Sequence, residues 1–246
     1  MSGLFFQTYQ DFHFFRRVTS DRRYFRSEQT DRFLSAVLDS CSSRIWTIEM
    51  GFPLYRAQVG NAWQTGGLGE NVAYPFPAER MKPLDDRAHE GRVNPKGIPC
   101  LYLATSRDLA MSEVRPAPPA NISVGRFETV LPLRVIRCTE KHSNLVGLFE
   151  PEEGKTDETV WATIDKAFGE PVLRAEDRAD YAPTQIIAEM MRINGYDGIA
   201  YRSQFDSDGF NVALFDLNSA QLTQCHVYTN TAVQYKFSGP WNGYSD

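Results

Sequence analysis

Apolar side chains recur along this chain at two spacings, one helical and one strand-like, and the switches between them mark its elements. The first fifty residues read as helical. In SDRRYFRSEQTDRFLSAVLDS, Ser20 and Thr30 are polar starts, and Phe33, Leu34, Val37 and Leu38 recur on one face. PLYRAQVG, residues 53–60, alternates as a half-buried strand, with Tyr55, Ala57 and Val59 on one side and Leu54, Arg56 and Gln58 on the other. Residues 61–97 are rich in Gly, Pro and Asn with little periodicity, which predicts a long loop, and GGLGE at 66–70 reads as turn chemistry.

IPCLYLA (98–104) is a short apolar strand that runs into SRDLAMSEV. There Ser106 caps a helix, Asp108 favours its first turn, and Pro116, Pro118 and Pro119 stop it. VGRFETVLPLRVIRC (124–138) is strand-like but broken by Pro132, which predicts an edge or a bulge in one part. After an acidic stretch from Glu150 to Glu158, a helix runs through about Phe168 and is ended by Gly169 and Pro171. The clearest helix is PTQIIAEMMRING, with Pro183 at its start, Ile186, Ile187, Met190, Met191 and Ile193 on one arc, and Gly195 as its cap. Gln185, Glu189 and Arg192 form its polar arc. GIAYRS, FNVALFD and CHVYTNTAVQYKF read as three further strands, and no fixed repeat occurs. Many short strands with few helices predict an α+β fold around a mixed or antiparallel sheet.

Composition narrows the function classes. With 26 basic against 31 acidic residues the net charge is −5, so no global basic field recruits nucleic acid or anionic membrane. The N-terminal arginines (Arg16, Arg17, Arg22, Arg23, Arg26, Arg32) alternate with Phe14, Phe15, Tyr24 and Phe25. Asp11, Asp21, Glu28 and Asp31 dilute them, so a solvated face over an aromatic underside is favoured over RNA contact. Cys41, Cys100, Cys138 and Cys225 are scattered, without a C-x-x-C pair or histidines at zinc-ligand spacing. No secretory signal and no apolar run of membrane-spanning length is present, so the expected compartment is cytoplasmic.

Candidate chemistry concentrates in a few positions. Glu113 falls inside the apolar arc defined by Leu109, Ala110, Met111 and Val114, where a carboxylate is costly unless paired, hydrogen-bonded or open to a cleft. From position alone a structural ion pair and a site residue are both open. Arg56 lies in a strand and Arg92 in the GRVNPKG turn, placements that suit a bidentate grip on phosphate or carboxylate. No phosphate loop, dinucleotide fingerprint, nucleophile elbow, H-E-x-x-H or kinase set occurs. Asp85–Asp86 and Asp206–Asp208 are loop acids with a weak claim to a metal.

YRA at 55–57, GRVNPKGIPCLYLATSRDLAMSEV at 91–114, and YRS at 201–203 followed by Asn211 together resemble the RES domain family, named for its Arg, Glu and Ser signature. The resemblance spans 53–216, inside a domain taken as 51–246 behind a helical N-terminal extension, 1–50. Val93 stands where an aromatic residue often follows the motif arginine. The resemblance implies a fold similar to the ADP-ribosyltransferase toxins, with a split mixed or antiparallel β core and flanking helices. It also implies chemistry on NAD as substrate, without a metal. Members of the family are toxins of type II toxin–antitoxin pairs, neutralised by a helix-turn-helix antitoxin that covers the site. Nucleic acid is then met only through the antitoxin, no membrane is involved, and a homo-oligomer is possible.

Carried over residue by residue, the resemblance makes Glu113, Arg56 and Tyr102 the catalytic set. Arg92, Ser203, Asn211 and Tyr55 become the NAD-binding set. Glu113 would stabilise an oxocarbenium-like ribose, Tyr102 would stack on nicotinamide, Arg56 and Arg92 would hold the diphosphate, and Ser203 would bond the carboxamide or a phosphate. The acceptor is water, phosphate or a target molecule. A non-catalytic NAD- or RNA-binding module is the alternative of a different class.

Overall fold

The computed structural model describes residues 5–21, 27–84, 88–138, 154–170, 181–205 and 208–234. Its centre is an eight-stranded sheet in the order β1-β7-β8-β9-β5-β2-β6-β10. The strands are β1 (Ile45–Ile48), β2 (Pro53–Val59), β5 (Leu101–Ala104), β6 (Ala120–Thr129), β7 (Leu133–Arg137), β8 (Gly198–Arg202), β9 (Phe210–Leu214) and β10 (Ala220–Asn230). Among the described strands of this sheet only β7 and β8 pair in parallel, so the expected mixed α+β architecture with flanking helices is the one observed.

Alternation along the strands sends side chains to two cores. Ile136, Ile199, Tyr201 and Ala213 face a layer built from α1 (Asp11–Asp21), α2 (Glu28–Ser40), α4 (Thr156–Gly169) and α5 (Ala182–Ile193). That layer includes Phe12, Phe15 and Phe33, with Phe15 and Phe33 stacked at 4.6 Å, beside Trp161 and Phe168. Val135, Ala200, Val212 and Leu214 face the other way, onto Leu54, Leu101, Phe127 and Met81. A third cluster seats α3 (Arg107–Glu113) through Leu109 and Ala110 on Ala57, Ala104, Ile122 and Val124.

The sheet is split where the site lies. β2 keeps seven registered partners on β6, from Pro53↔Glu128 to Val59↔Ile122, and β5 keeps four on β9. Between β2 and β5 there is one registered pair, Tyr55↔Ala104. Beyond it the two strands diverge, and a cleft opens between the halves.

Several local readings hold. Ser106 caps α3 by accepting the Leu109 N–H at 3.2 Å, Pro183 sits in the first turn of α5, and Gly195 follows it at φ +79°. Others need correction. The first fifty residues are not all helical, because β1 lies within them and pairs with β7. Ser20 lies inside α1, and Thr30 is the third residue of α2, in a capping box with Ser27 as the cap. Residues 61–97 contain a hairpin, β3 (Ala62–Thr65) with β4 (Asn71–Tyr74), turned through Gly66–Gly69. Pro132 marks neither an edge nor a bulge. It lies in the short link between β6 and β7, both of which have strands on either side. On α5, Gln185 is buried although it reads as polar surface, and Ile193 is exposed although it reads as core.

Arg22, Arg23, Tyr24, Phe25 and Arg26, His142, the acids 150–153, Asp85–Asp86 and Asp206 lie outside the described residues. Within them, Phe15 is buried and Arg17 and Arg32 are exposed, as an aromatic underside below a solvated face requires. Cys41, Cys100 and Cys138 are buried free thiols, and Cys225 is partly exposed. Among the described residues no helix is long and apolar enough to cross a membrane.

Candidate active site

Glu113 is the last residue of α3. The buried Leu109 and Ala110 fix the helix on the sheet, so its final turn overhangs the cleft and Glu113 stands exposed there. Its Oε1 accepts two hydrogen bonds of 2.7 Å, from Ser203 Oγ and from Asn211 Nδ2. Both donors are buried and neutral, and both come from strand positions: Ser203 just after β8, Asn211 in β9 opposite Tyr201 and Ala104. Among the described residues Glu113 has no cationic partner, and its Oε2 has no hydrogen-bond partner. Of the two readings open from sequence, the structural ion pair is therefore the wrong one. The carboxylate is hydrogen-bonded and open to a cleft, held at one oxygen and free at the other.

Arg56 spans the seam. Its Nη1 donates to the Tyr102 carbonyl at 3.0 Å, across the line where β2 and β5 part. Its Nε is buried and, among the described residues, has no acceptor. Burial lowers the pKa of this guanidinium, with the facing Tyr102 opposing the shift. Desolvating a cation is costly, and an anion against the guanidinium offsets part of that cost.

Tyr102 is fixed at its far end. Its hydroxyl donates to Asn94 Oδ1 at 2.7 Å and accepts the Val93 N–H at 3.0 Å. Burial is the main reason its phenol is pushed well above the ordinary tyrosine value, so it is a neutral donor. Asn94, 2% exposed, ties the motif loop together, its Nδ2 donating to the carbonyls of His89, Pro95 and Ile98. Gln185 of α5 adds bonds from Nε2 to the carbonyls of Gly91 and Asn94 and to Glu90 Oε1. Gly91 has no room for a side chain: a Cβ there would stand 2.6 Å from the Tyr102 hydroxyl.

The cleft has two chambers that share Arg56 and Tyr102 as a common wall. The smaller, about 190 Å³, is lined by Tyr55, Tyr102, Glu113, Tyr201 and Asn211 together with Arg56. The larger, about 720 Å³, is bounded by Arg80, Lys82, His89 and Glu90 as well as the shared pair. The structure thus brings Glu113, Arg56, Tyr102, Tyr55 and Asn211 onto one cavity, with Ser203 directly behind Glu113. Arg92 lines neither chamber, and its Nη1 donates to the Ala167 carbonyl of α4 at 3.0 Å. Among the described residues no three His, Cys, Asp or Glu side chains gather as a metal centre would need.

Sequence reasoning missed Asn94 and Gln185 as the ties of the loop, and Tyr201 as a wall of the smaller chamber. Asn94 was legible as the polar member of an Asn-Pro-x-Gly turn. Gln185 was not, because its partners lie more than ninety residues away.

The smaller chamber thus sets a carboxylate beside an arginine. The RES domain model matches residues 53–238, most of the chain, and the protein belongs to that family. Among solved structures it is similar to a chain of the M.tuberculosis MbcT–MbcA toxin–antitoxin complex. That match has 17% identity and a TM-score of 0.41, covering 79% of this chain and 92% of that one. No curated protein matches the sequence.

Proposed function

We propose that this protein cleaves the nicotinamide–ribose bond of NAD and serves as the toxin of a toxin–antitoxin pair. The observation that carries the reading is the Glu113 carboxylate, fixed at Oε1 by Ser203 and Asn211, with no partner for Oε2 among the described residues, in a chamber walled by the half-buried Arg56. Family membership supports the same chemistry.

Each residue has a task in that reaction. The C1′–N bond breaks with its electron pair going to the pyridinium nitrogen, so nicotinamide leaves neutral and no general acid is needed. Positive charge then builds on the ribose, and Glu113 Oε2 faces it. Arg56 receives the diphosphate on the part of its guanidinium that lines the cleft, which fixes the ribose for attack on C1′. Water or phosphate adds to C1′ and loses its proton to solvent. Tyr55, Tyr102 and Tyr201 wall the chamber in which the nicotinamide sits. Ser203 and Asn211 act on Glu113, and Arg92 acts from behind Tyr102 through α4.

The test is NAD turnover by the purified chain, with products separated chromatographically, in buffers with and without phosphate. Nicotinamide release by the parent, reduced at least about a hundredfold in Glu113→Gln, is expected. The co-product names the acceptor: ADP-ribose for water, its phosphorylated form for phosphate. Expression should arrest growth, and Glu113→Gln should relieve the arrest. No turnover with NAD, or full toxicity of Glu113→Gln, overturns the proposal. A partner that relieves the arrest by closing the cleft is the expected antitoxin.

A further inference from the structure

One turn before its end, α4 carries an acid in an apolar setting. Asp165 is 2% exposed, on a helix whose neighbouring positions Val160, Trp161, Ile164 and Phe168 are all core. A carboxylate so placed is costly unless it is fully engaged. Its Oδ1 accepts the backbone N–H of Arg202 at 3.0 Å, and its Oδ2 accepts Arg202 Nε at 2.8 Å. The Arg202 side chain is itself only 11% exposed.

What that contact does follows from the strand register. β7 accompanies β8 only as far as Arg137↔Ala200, while β9 continues on the other side to Arg202↔Phe210. Tyr201 pairs with Asn211, so the next peptide, at Arg202, turns its N–H and C=O away from β9, to the side where β7 has ended. Asp165 supplies the missing acceptor there. Gly169, one turn on, lets α4 come close, since a Cβ at that position would stand 2.8 Å from the Arg202 carbonyl. The same turn holds two more motif residues: Phe168 stacks on Tyr201 with ring centroids 5.6 Å apart, and the Ala167 carbonyl takes Arg92 Nη1. The residue after Arg202 is Ser203, which bonds Glu113.

We infer that Asp165 is a positioning residue for Glu113: by completing the hydrogen bonding at the end of β8 it fixes Ser203, and through Ser203 the carboxylate. The inference rests on the proposed role of Glu113 on NAD. Asp165 lines neither chamber and acts on Glu113 through the strand end.

Two full-length variants test this from opposite sides. Asp165→Asn keeps the shape and removes the charge, and Gly169→Ala keeps the ion pair and pushes the Arg202 carbonyl. Both should lower kcat for NAD by about tenfold to a hundredfold while KM stays within about twofold, since displaced reacting groups slow chemistry more than binding. In a Ser203→Ala background the Asp165→Asn effect should shrink to about twofold or less, because the path from Asp165 to Glu113 is already cut. Unchanged kcat in Gly169→Ala, or an undiminished Asp165→Asn effect in that background, overturns the inference.

If the parent shows no NAD turnover, the functional reading fails, and amide exchange judges the positioning role. The Phe205 N–H, held by Ser203 Oγ at 3.0 Å, should exchange at least about tenfold faster in Asp165→Asn, with α5 unchanged. Equal exchange, or a uniform rise across the chain, overturns the inference in that case. Should Asp165→Asn fail to fold, Gly169→Ala is carried through both measurements.

Discussion

Arg56 combines the two properties of a site residue that stability alone does not select. It is a cation with a buried Nε that no described group accepts, and its one bond crosses the seam to Tyr102. Replacing such a group by an apolar side chain of similar length removes a desolvation cost as well as a contact. Arg56→Met is therefore expected to unfold in urea at the parent's midpoint or above it, within about 1 kcal/mol, while NAD affinity falls at least about tenfold. A large loss of stability with unchanged affinity would make Arg56 a structural residue. Glu113→Gln belongs at this scale too. The exposed amide still accepts from Ser203 and Asn211, so the midpoint should not move while turnover is lost.

At the scale of elements, the motif loop from His89 to Ile98 is built around one asparagine and one glycine. Gly91→Ala would press on both the Tyr102 hydroxyl and Asn94 Oδ1, the two ends of the bond that holds the strand tyrosine to the loop. A cost of about 1–3 kcal/mol is expected, with a rise in KM for NAD because the wall shared by both chambers moves. Parental stability and KM in that variant would show that the loop yields freely. Elements whose reasons are local were legible in the sequence: the Ser106 cap and the Pro183 and Gly195 limits of α5 depend on neighbours in the chain. The β3–β4 hairpin was not, because its apolar residues, Trp63 and Val72 among them, are largely exposed and leave no alternation to read. Asp165 carries the same signal that singled out Glu113, an acid on an apolar arc, and was passed over. Its partner lies thirty-seven residues away at a strand end whose pairing cannot be inferred locally.

The whole molecule keeps three thiols and two tyrosines in its cores without ionising them. Burial pushes Cys41 from 9.0 up to about 12 and Cys100 up to about 11, and it raises Cys138, Tyr102 and Tyr201 as well. A raised acid pKa makes a definite prediction. Below pH 9 the thiols are protonated in both states and stability is full. As pH rises past that value the unfolded chain ionises and the folded one does not, so each buried thiol subtracts about 1 kcal/mol per pH unit until its own folded pKa is reached. Thermal melts between pH 8 and 11 should fall accordingly, and Cys41→Ala should flatten the slope whatever it does to the starting level. An unchanged slope would mean that Cys41 is accessible to solvent. The α+β class was readable in advance, but the strand order was not. It depends on pairings such as β2 with β6 and β1 with β7 that join distant parts of the chain.

The single registered pair between β2 and β5 sets how the molecule yields under load. Within each half of the sheet, a change of width strains a whole ladder of backbone bonds at once. Across the seam it strains one rung, the Arg56 tether, the seat of α3 on Ala57 and Ala104, and the bonds from Glu113 to Ser203 and Asn211. The aperture of the cleft thus depends more on side-chain contacts than on backbone rungs. A partner that prised the halves apart or pressed them together would load the bonds that hold Glu113 Oε1 to Ser203 and Asn211.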